Sequence, residues 1–219
     1  GAAAARADGL MPSFELSEVR LIDPQGRDAL RLPRVLVALS PRSLWRLGFE
    51  QLYIDQPELD LRRKADGRIL VAGLDLLQSP TSDGRALDWF FSQTEFVIRG
   101  GTLQWTDEQR TVPALTLSQV DLVLRNTARH HALRVDATPP ADWGRRFTLM
   151  GDLRQPLLST QAGQWREWSG QLYADFAHVD VSQLRRHAHL GADVAAGQGA
   201  LRAWVDVQRG QIVGATADV

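Results

Sequence analysis

The chain has 219 residues, with 25 basic and 26 acidic side chains and a net charge of -1. It contains no cysteine, which excludes a disulfide scaffold, thiolate catalysis and thiolate metal sites. The balanced charge argues against a nucleic-acid binder working through bulk positive charge, and 44% hydrophobic residues mark a globular chain.

Residues 1–13 begin with the Ala2–Ala5 run and lack the apolar centre of a signal peptide. They read as a flexible tail ahead of one β-rich segment, 14–219. The longest apolar run, Val35 to Leu39, is far short of the roughly 18 to 20 residues of a membrane helix. The Gly1 start and the finish inside the alternation Ala217-Asp218-Val219 predict a piece cut from a longer protein.

From Phe14 onward the apolar residues recur with a period of two, the signature of strands. Phe14 and Leu16 come first, then Val19 and Leu21, and a turn at Asp23-Pro24-Gln25-Gly26. Leu30 and Leu32 lead into Val35, Val37 and Leu39. A helix is predicted over Ser40–Leu47, with Ser40 as N-cap and Pro41 at the first helical position. Leu52/Ile54 and Leu59/Leu61 follow, closed by the Asp-Gly hairpin signal in Ala65-Asp66-Gly67. A second helix is predicted over Asp83–Gln93. Strand pairs then continue through Phe96/Ile98, Leu103/Trp105, Leu115/Leu117, Val120/Leu122/Leu124, Leu133/Val135 and Phe147/Leu149, with turns at Gly100-Gly101 and Thr138-Pro139-Pro140. Leu172/Ala174/Phe176, a third predicted helix at Val181–His187, Leu201 to Val207 and a turn at Arg209-Gly210 complete the series. The pattern predicts a mainly β fold with a few short helices, built on a long, curved, mostly antiparallel sheet.

Three runs change phase. The steps Leu16 to Val19, Leu32 to Val35 and Leu117 to Val120 each span three residues, which would flip a side chain to the opposite face. A β-bulge restores the facing; the alternative is a strand that crosses between two apolar environments. There is also an internal repeat. Residues 52–62 and 96–106 both read as an apolar strand, a break (Gln56-Pro57 or Gly100-Gly101), a shifted strand and a charged turn.

Motif chemistry is sparse. His187 and His189 lack a third ligand at metal-binding spacing, and His130-His131 reads as a solvated hairpin tip. Asp107-Glu108 is the carboxylate pair best suited to acid/base catalysis of a glycan hydrolysis, set against a plain charged hairpin turn. No esterase elbow or phosphate loop is present. Trp143-Gly144-Arg145-Arg146 is too isolated to make a stacking platform for single-stranded nucleic acid. The seven tryptophans default individually to core.

Phe14 to Asp23, Leu30 to Val35, Ser40 to Trp45, Ile54 to Gly67, Phe96 to Asp107 and Val120 to Asn126, taken in that order, resemble the opening periplasmic segment of YhdP-type AsmA-like proteins. The similarity covers nearly the whole chain, and the order of many weak motifs carries it. The resemblance implies a periplasmic protein held in the Gram-negative inner membrane by an N-terminal helix that lies outside this chain. It implies a long β-groove with an apolar interior that conducts phospholipids towards the outer membrane, with no enzymatic activity, cofactor or metal. This chain would be the membrane-proximal part. The candidate groove lining is Leu30, Val35, Val37, Leu59, Val97, Leu117 and Leu122, and the expected partners are phospholipid acyl chains, not nucleic acid. The competing expectation is a structural or interaction module of envelope assembly whose apolar residues fill a sealed core.

Overall fold

The computed structural model describes residues 2–6, 13–22, 26, 28–38, 50–75, 88, 91–110, 112–157, 159, 163–180, 182–183 and 197–218. The strands are β1 (Ala2–Arg6), β2 (Ser13–Ile22), β3 (Asp28–Ala38), β4 (Gln51–Asp55), β5 (Glu58–Arg63), β6 (Ile69–Val71) and β7 (Leu74–Asp75). They continue with β8 (Glu95–Asp107), β9 (Leu115–Asn126), β10 (His130–Thr138), β11 (Phe147–Arg154), β12 (Ser169–Asp180), β13 (Gln198–Gln208) and β14 (Gln211–Asp218). All belong to one 14-stranded sheet. From one edge the order is β14-β13-β12-β11-β10-β9-β8-β4-β3-β5-β6-β7, with β2 on β3 and β1 on β2. The mainly β, mostly antiparallel architecture expected from the period of two is therefore present. A 3₁₀ turn, Trp165–Glu167, precedes β12. Of the three predicted helices, Ser40–Leu47 lies outside the described residues, as do most of Asp83–Gln93 and Val181–His187. Residues 91–92 and 182–183 are helical.

Two parallel pairings interrupt the antiparallel order. β8 runs parallel to β4, with Leu52 opposite Phe96 and Ile54 opposite Ile98, and parallel to β5, with Leu59 opposite Leu103 and Leu61 opposite Trp105. The two copies of the internal repeat thus lie side by side, matched residue for residue across the break. Gly100-Gly101, expected as a turn, instead lies within β8, which continues unbroken from Glu95 to Asp107. Gly100 takes φ +60 as a bulge, and the ladder is carried past it. Gln56 N–H donates to Arg99 O and Thr102 N–H to Pro57 O, both at 2.7 Å. Gly100 N–H donates to Asp121 Oδ1 at 3.0 Å.

The phase shifts resolve the same way. Glu18 (φ 55), Gln56 (φ 48) and Gln119 (φ 50) join Gly100 in the left-handed region. The registers put them at one level. Glu18 faces the Leu32–Arg34 step of β3, which faces Gln56-Pro57, which faces Gly100-Gly101, which faces Val120 of β9. A transverse crease of left-handed residues and chain breaks therefore crosses five strand positions, with the ladder itself shifting register between β8 and β9, where a bulge bends and twists the strand. Across the crease Leu32 still packs against the core cluster of Val35, Val37, Leu52, Ile54, Phe96 and Leu124. The Arg146 guanidinium straps the β9 bulge, donating to Gln119 O and Asp121 Oδ2, each at 2.7 Å.

The expected tail, residues 1–13, contains strand β1, whose Ala2–Arg6 pairs antiparallel with Ser13–Ser17. An alanine run carries no alternation, so its strand is specified by backbone pairing with β2 rather than by a pattern of its own. Ala65-Asp66-Gly67 and Arg209-Gly210 form the expected hairpin turns; Arg209 (φ 50) and Gly210 (φ 69) both have positive φ, the geometry that matches strand twist in two-residue hairpins.

Candidate functional site

Directly opposed residues of neighbouring strands share a face. One cross-strand row runs Phe14, Val37, Leu52, Phe96, Leu124, Leu133, Gly151, Leu172, Val205 and Ala215. The next row on that face runs Leu16, Val35, Ile54, Ile98, Leu122, Val135, Leu149, Ala174, Ala203 and Ala217. Every member of both rows is apolar. The opposite face carries charge pairs: Arg125–Glu95 at 2.9 Å, Arg34–Glu15 at 2.8 Å, Arg134–Asp136 at 2.8 Å and Arg146–Asp121 at 2.7 Å. The Arg134 guanidinium beside it holds the Asp136 carboxyl below the usual carboxylate range. The sheet is thus two-sided, with an apolar face extending over ten strands. On that face Phe14 is 42% exposed, Leu149 36% and Ile212 71%.

Of the predicted lining residues, Val35 and Val37 lie in the buried core cluster, with Leu122 packed against it. Leu30 opposes Leu59, Leu59 opposes Leu103 and Leu103 opposes Leu117, which places these predicted residues together beyond the crease. Val97 departs from the set. It sits between Phe96 and Ile98 in β8, opposite Tyr53 and Val123, so alternation turns it to the charged face.

The apolar face holds a cavity of about 450 Å³ over β9–β14. Leu124, Leu133, Leu153, Leu172, Val207 and Ile212 line it from the sheet. Phe91, Trp165 and Trp168 line it from outside the sheet. Among the described residues one polar side chain reaches this lining, His131, and it is 2% exposed. This overturns the expectation of a solvated hairpin tip at His130-His131. His131 is in phase with Leu133 and Val135, so the strand's own alternation turns it inward while His130 turns out to Asp152, 2.9 Å away.

His131 stacks on Trp168 with ring centroids 3.9 Å apart and planes 7° apart, and Phe91 meets Trp168 edge-on at 4.7 Å. The Asn126 amide donates through Nδ2 to Gln93 O at 2.8 Å, which leaves Asn126 Oδ1 to accept from His131 Nδ1, also at 2.8 Å. The imidazole therefore carries its proton on Nδ1. Its Nε2 lies 3.5 Å from Gln155 Oε1, an acceptor that only a ring also protonated on Nε2 would satisfy. Burial pushes the His131 pKa below the ordinary 6.5, opposed by the Gln155 hydrogen bond and reinforced by His130. A histidine that stays neutral when folded binds fewer protons than its unfolded counterpart. Its stabilisation is complete above about pH 6.5 and declines as pH falls from there to the folded-state pKa, by at most about 1.4 kcal/mol per pH unit. Urea midpoints at pH 7.5 and 5.5 measure this; the drop is expected to shrink in His131→Gln.

Asp107 and Glu108, the candidate carboxylate pair, close β8 against basic neighbours. Asp107 lies 3.6 Å from both Arg63 and Arg110. Glu108 lies 3.1 Å from Lys64, whose hydrogen bond holds the Glu108 carboxyl below its usual range. A general acid needs the opposite shift to that of Glu108, and both carboxylates lie in ion pairs. Trp143 ends the sheet in the β10–β11 turn, where its carbonyl accepts from Asp180 N–H at 2.8 Å. Among the described residues no helix is long and apolar enough to cross a membrane, and no group of three ligating side chains could hold a metal ion.

Comparison with curated proteins found no match, and neither did comparison with solved structures. The family model of the YhdP protein matches residues 1–219. With a sheet whose alternation and bulges span that same length, the chain belongs to the YhdP family.

Proposed function

We propose that this chain is a segment of a periplasmic, inner-membrane-anchored lipid-transfer protein, and that phospholipid acyl chains lie along its apolar face on the way between inner and outer membrane. The observation that carries this is the pair of uniformly apolar rows running through ten strands, with large apolar side chains on them left exposed. Each CH₂ taken from water onto such a face contributes about 0.8 kcal/mol. Binding of this kind needs no catalytic or headgroup motif, in keeping with a non-enzymatic role that uses neither cofactor nor metal. Side-chain alternation supplies a sharp test. A photo-crosslinking residue at Leu133 or Leu172 is expected to capture co-purifying phospholipid, while the same residue at Arg134 or Tyr173, one position away on the other face, captures none. Equal capture at both parities, or no lipid extracted from the purified chain, would leave the envelope-assembly module as the better reading.

A further inference from the structure

The end of the sheet beside the cavity is formed by the β9–β10 turn, the segment joining β11 to β12, and the β13–β14 turn. Each brings an exposed arginine: Arg129, Arg166 and Arg209. Contacts with the lining residues place these segments beside the cavity. Gly210, a lining residue, donates its N–H to Trp168 O at 2.9 Å, and Arg209 precedes it. The Arg166 guanidinium lies over the ring of Trp165, another lining residue, 5.2 Å from its centroid. Arg129 O accepts from Gln155 N–H at 2.9 Å, and Gln155 contacts the lining His131.

Elsewhere on the sheet arginines are mostly neutralised, as in Arg34–Glu15, Arg125–Glu95, Arg134–Asp136 and Arg146–Asp121. Among the described residues Arg129, Arg166 and Arg209 have no acidic partner within 4.0 Å. The acidic groups at this end are engaged, apart from Glu167 next to Arg166. Asp152 pairs with His130, Glu95 with Arg125, and Asp88 accepts from Gly163 N–H at 2.6 Å; Glu167 is exposed in the 3₁₀ turn. An apolar cavity with uncompensated cations at one end has the charge complement of an anionic amphiphile.

We infer that this cavity receives the hydrocarbon chain of an anionic lipid, with Arg129, Arg166 and Arg209 holding its negatively charged headgroup. The inference rests on the apolar-face reading above and adds headgroup selection to it. Exposed arginines near an anion each contribute modestly and are screened by salt. The expected preference for an anionic over a zwitterionic headgroup is therefore about tenfold at low salt.

The test is a tryptophan-fluorescence titration of the purified chain with lysophosphatidylglycerol, with lysophosphatidylcholine and with inorganic phosphate. The wild-type chain is expected to bind the anionic lysolipid about tenfold more tightly, and to lose that preference in ~0.5 M salt. The triple variant Arg129→Gln/Arg166→Gln/Arg209→Gln is expected to bind both lysolipids equally. The control Arg99→Gln/Arg145→Gln, which removes two unpaired arginines away from the cavity, is expected to keep the preference. Equal wild-type affinity for the two lysolipids, or a preference that survives the triple variant, overturns headgroup selection and leaves the apolar-face reading standing. Inorganic phosphate competing as well as the anionic lysolipid overturns it in favour of a free-anion site. Absence of binding by either lysolipid overturns both readings.

Discussion

Trp168→Ala is expected to destabilise the chain by about 3–5 kcal/mol, among the largest effects of any single substitution here. Trp168 is 4% exposed. Its indole face covers the His131 ring at 3.9 Å, and its edge receives Phe91 at 4.7 Å. Truncation removes the transfer energy of the whole indole. It also enlarges the existing cavity of about 450 Å³ beside His131 and exposes the hydrogen bonds of the buried Gln93–Asn126–His131–Gln155 set to water, which weakens them. Trp168 Nε1 is buried without a hydrogen-bond partner among the described residues, so the indole contributes through its apolar surface, and removal of the unpaired N–H offsets part of the loss. Trp165→Ala serves as the comparison, because that side chain is 40% exposed and a change within about 1 kcal/mol is expected. Urea unfolding followed by circular dichroism measures both. A Trp168→Ala loss below about 1 kcal/mol would show that the stack is not part of the core.

Gly170→Ala is expected to cost about 3 kcal/mol or to prevent folding, from backbone strain plus overpacking. Gly170, the second residue of β12, has φ +155, and a Cβ there would run into the Asp152 carbonyl oxygen and the Leu153 Cα of β11. Both obstacles are main chain in a paired strand, so no rotamer change can relieve them. Gly170 pairs with Leu153 on one side and Val207 on the other, and moving it would disturb two ladders at the edge of the cavity. Gly199→Ala in β13 is the control: a Cβ there meets nothing within 4 Å, and a slight gain of up to ~1 kcal/mol is expected from the stiffer unfolded chain. The two variants differ only in where one methyl group is added. If both melt alike, the close approach of β11 and β12 is not rigid.

Much of this architecture is written in the order of the residues. The period of two identifies β2, β3, β8 to β10, β12 and β13 because each strand has one apolar and one polar face, and alternation is what a two-sided sheet requires. The three-residue steps at Glu18 and Gln119 already mark where the strands crease, and the left-handed residue at each accompanies the change of phase from Leu16 to Val19 and from Leu117 to Val120. The resemblance of residues 52–62 to 96–106 foreshadows their adjacency, although nothing in either segment states that the pairing is parallel. His131 was also legible, through its phase with Leu133 and Val135, and is missed when charged neighbours are taken to mark a turn.

Other features arise only when distant segments meet. Gly100-Gly101 has the composition of a turn, yet Asp121 and the carbonyl groups of Arg99 and Pro57 satisfy the backbone around it and keep β8 paired through the bulge. Alternation with Phe96 and Ile98 already sets the facing of Val97, but what it meets there, Tyr53 on one side and Val123 on the other, follows from the register. The cavity needs Phe91, His131, Trp168 and Ile212, spread over more than half the chain, to converge on one patch of the sheet. Local alternation determined that this protein is a sheet with one apolar face, because that property belongs to each strand separately. Which residues close over that face, and where it stays open, was decided by strand register and long-range packing, which no stretch of sequence carries alone.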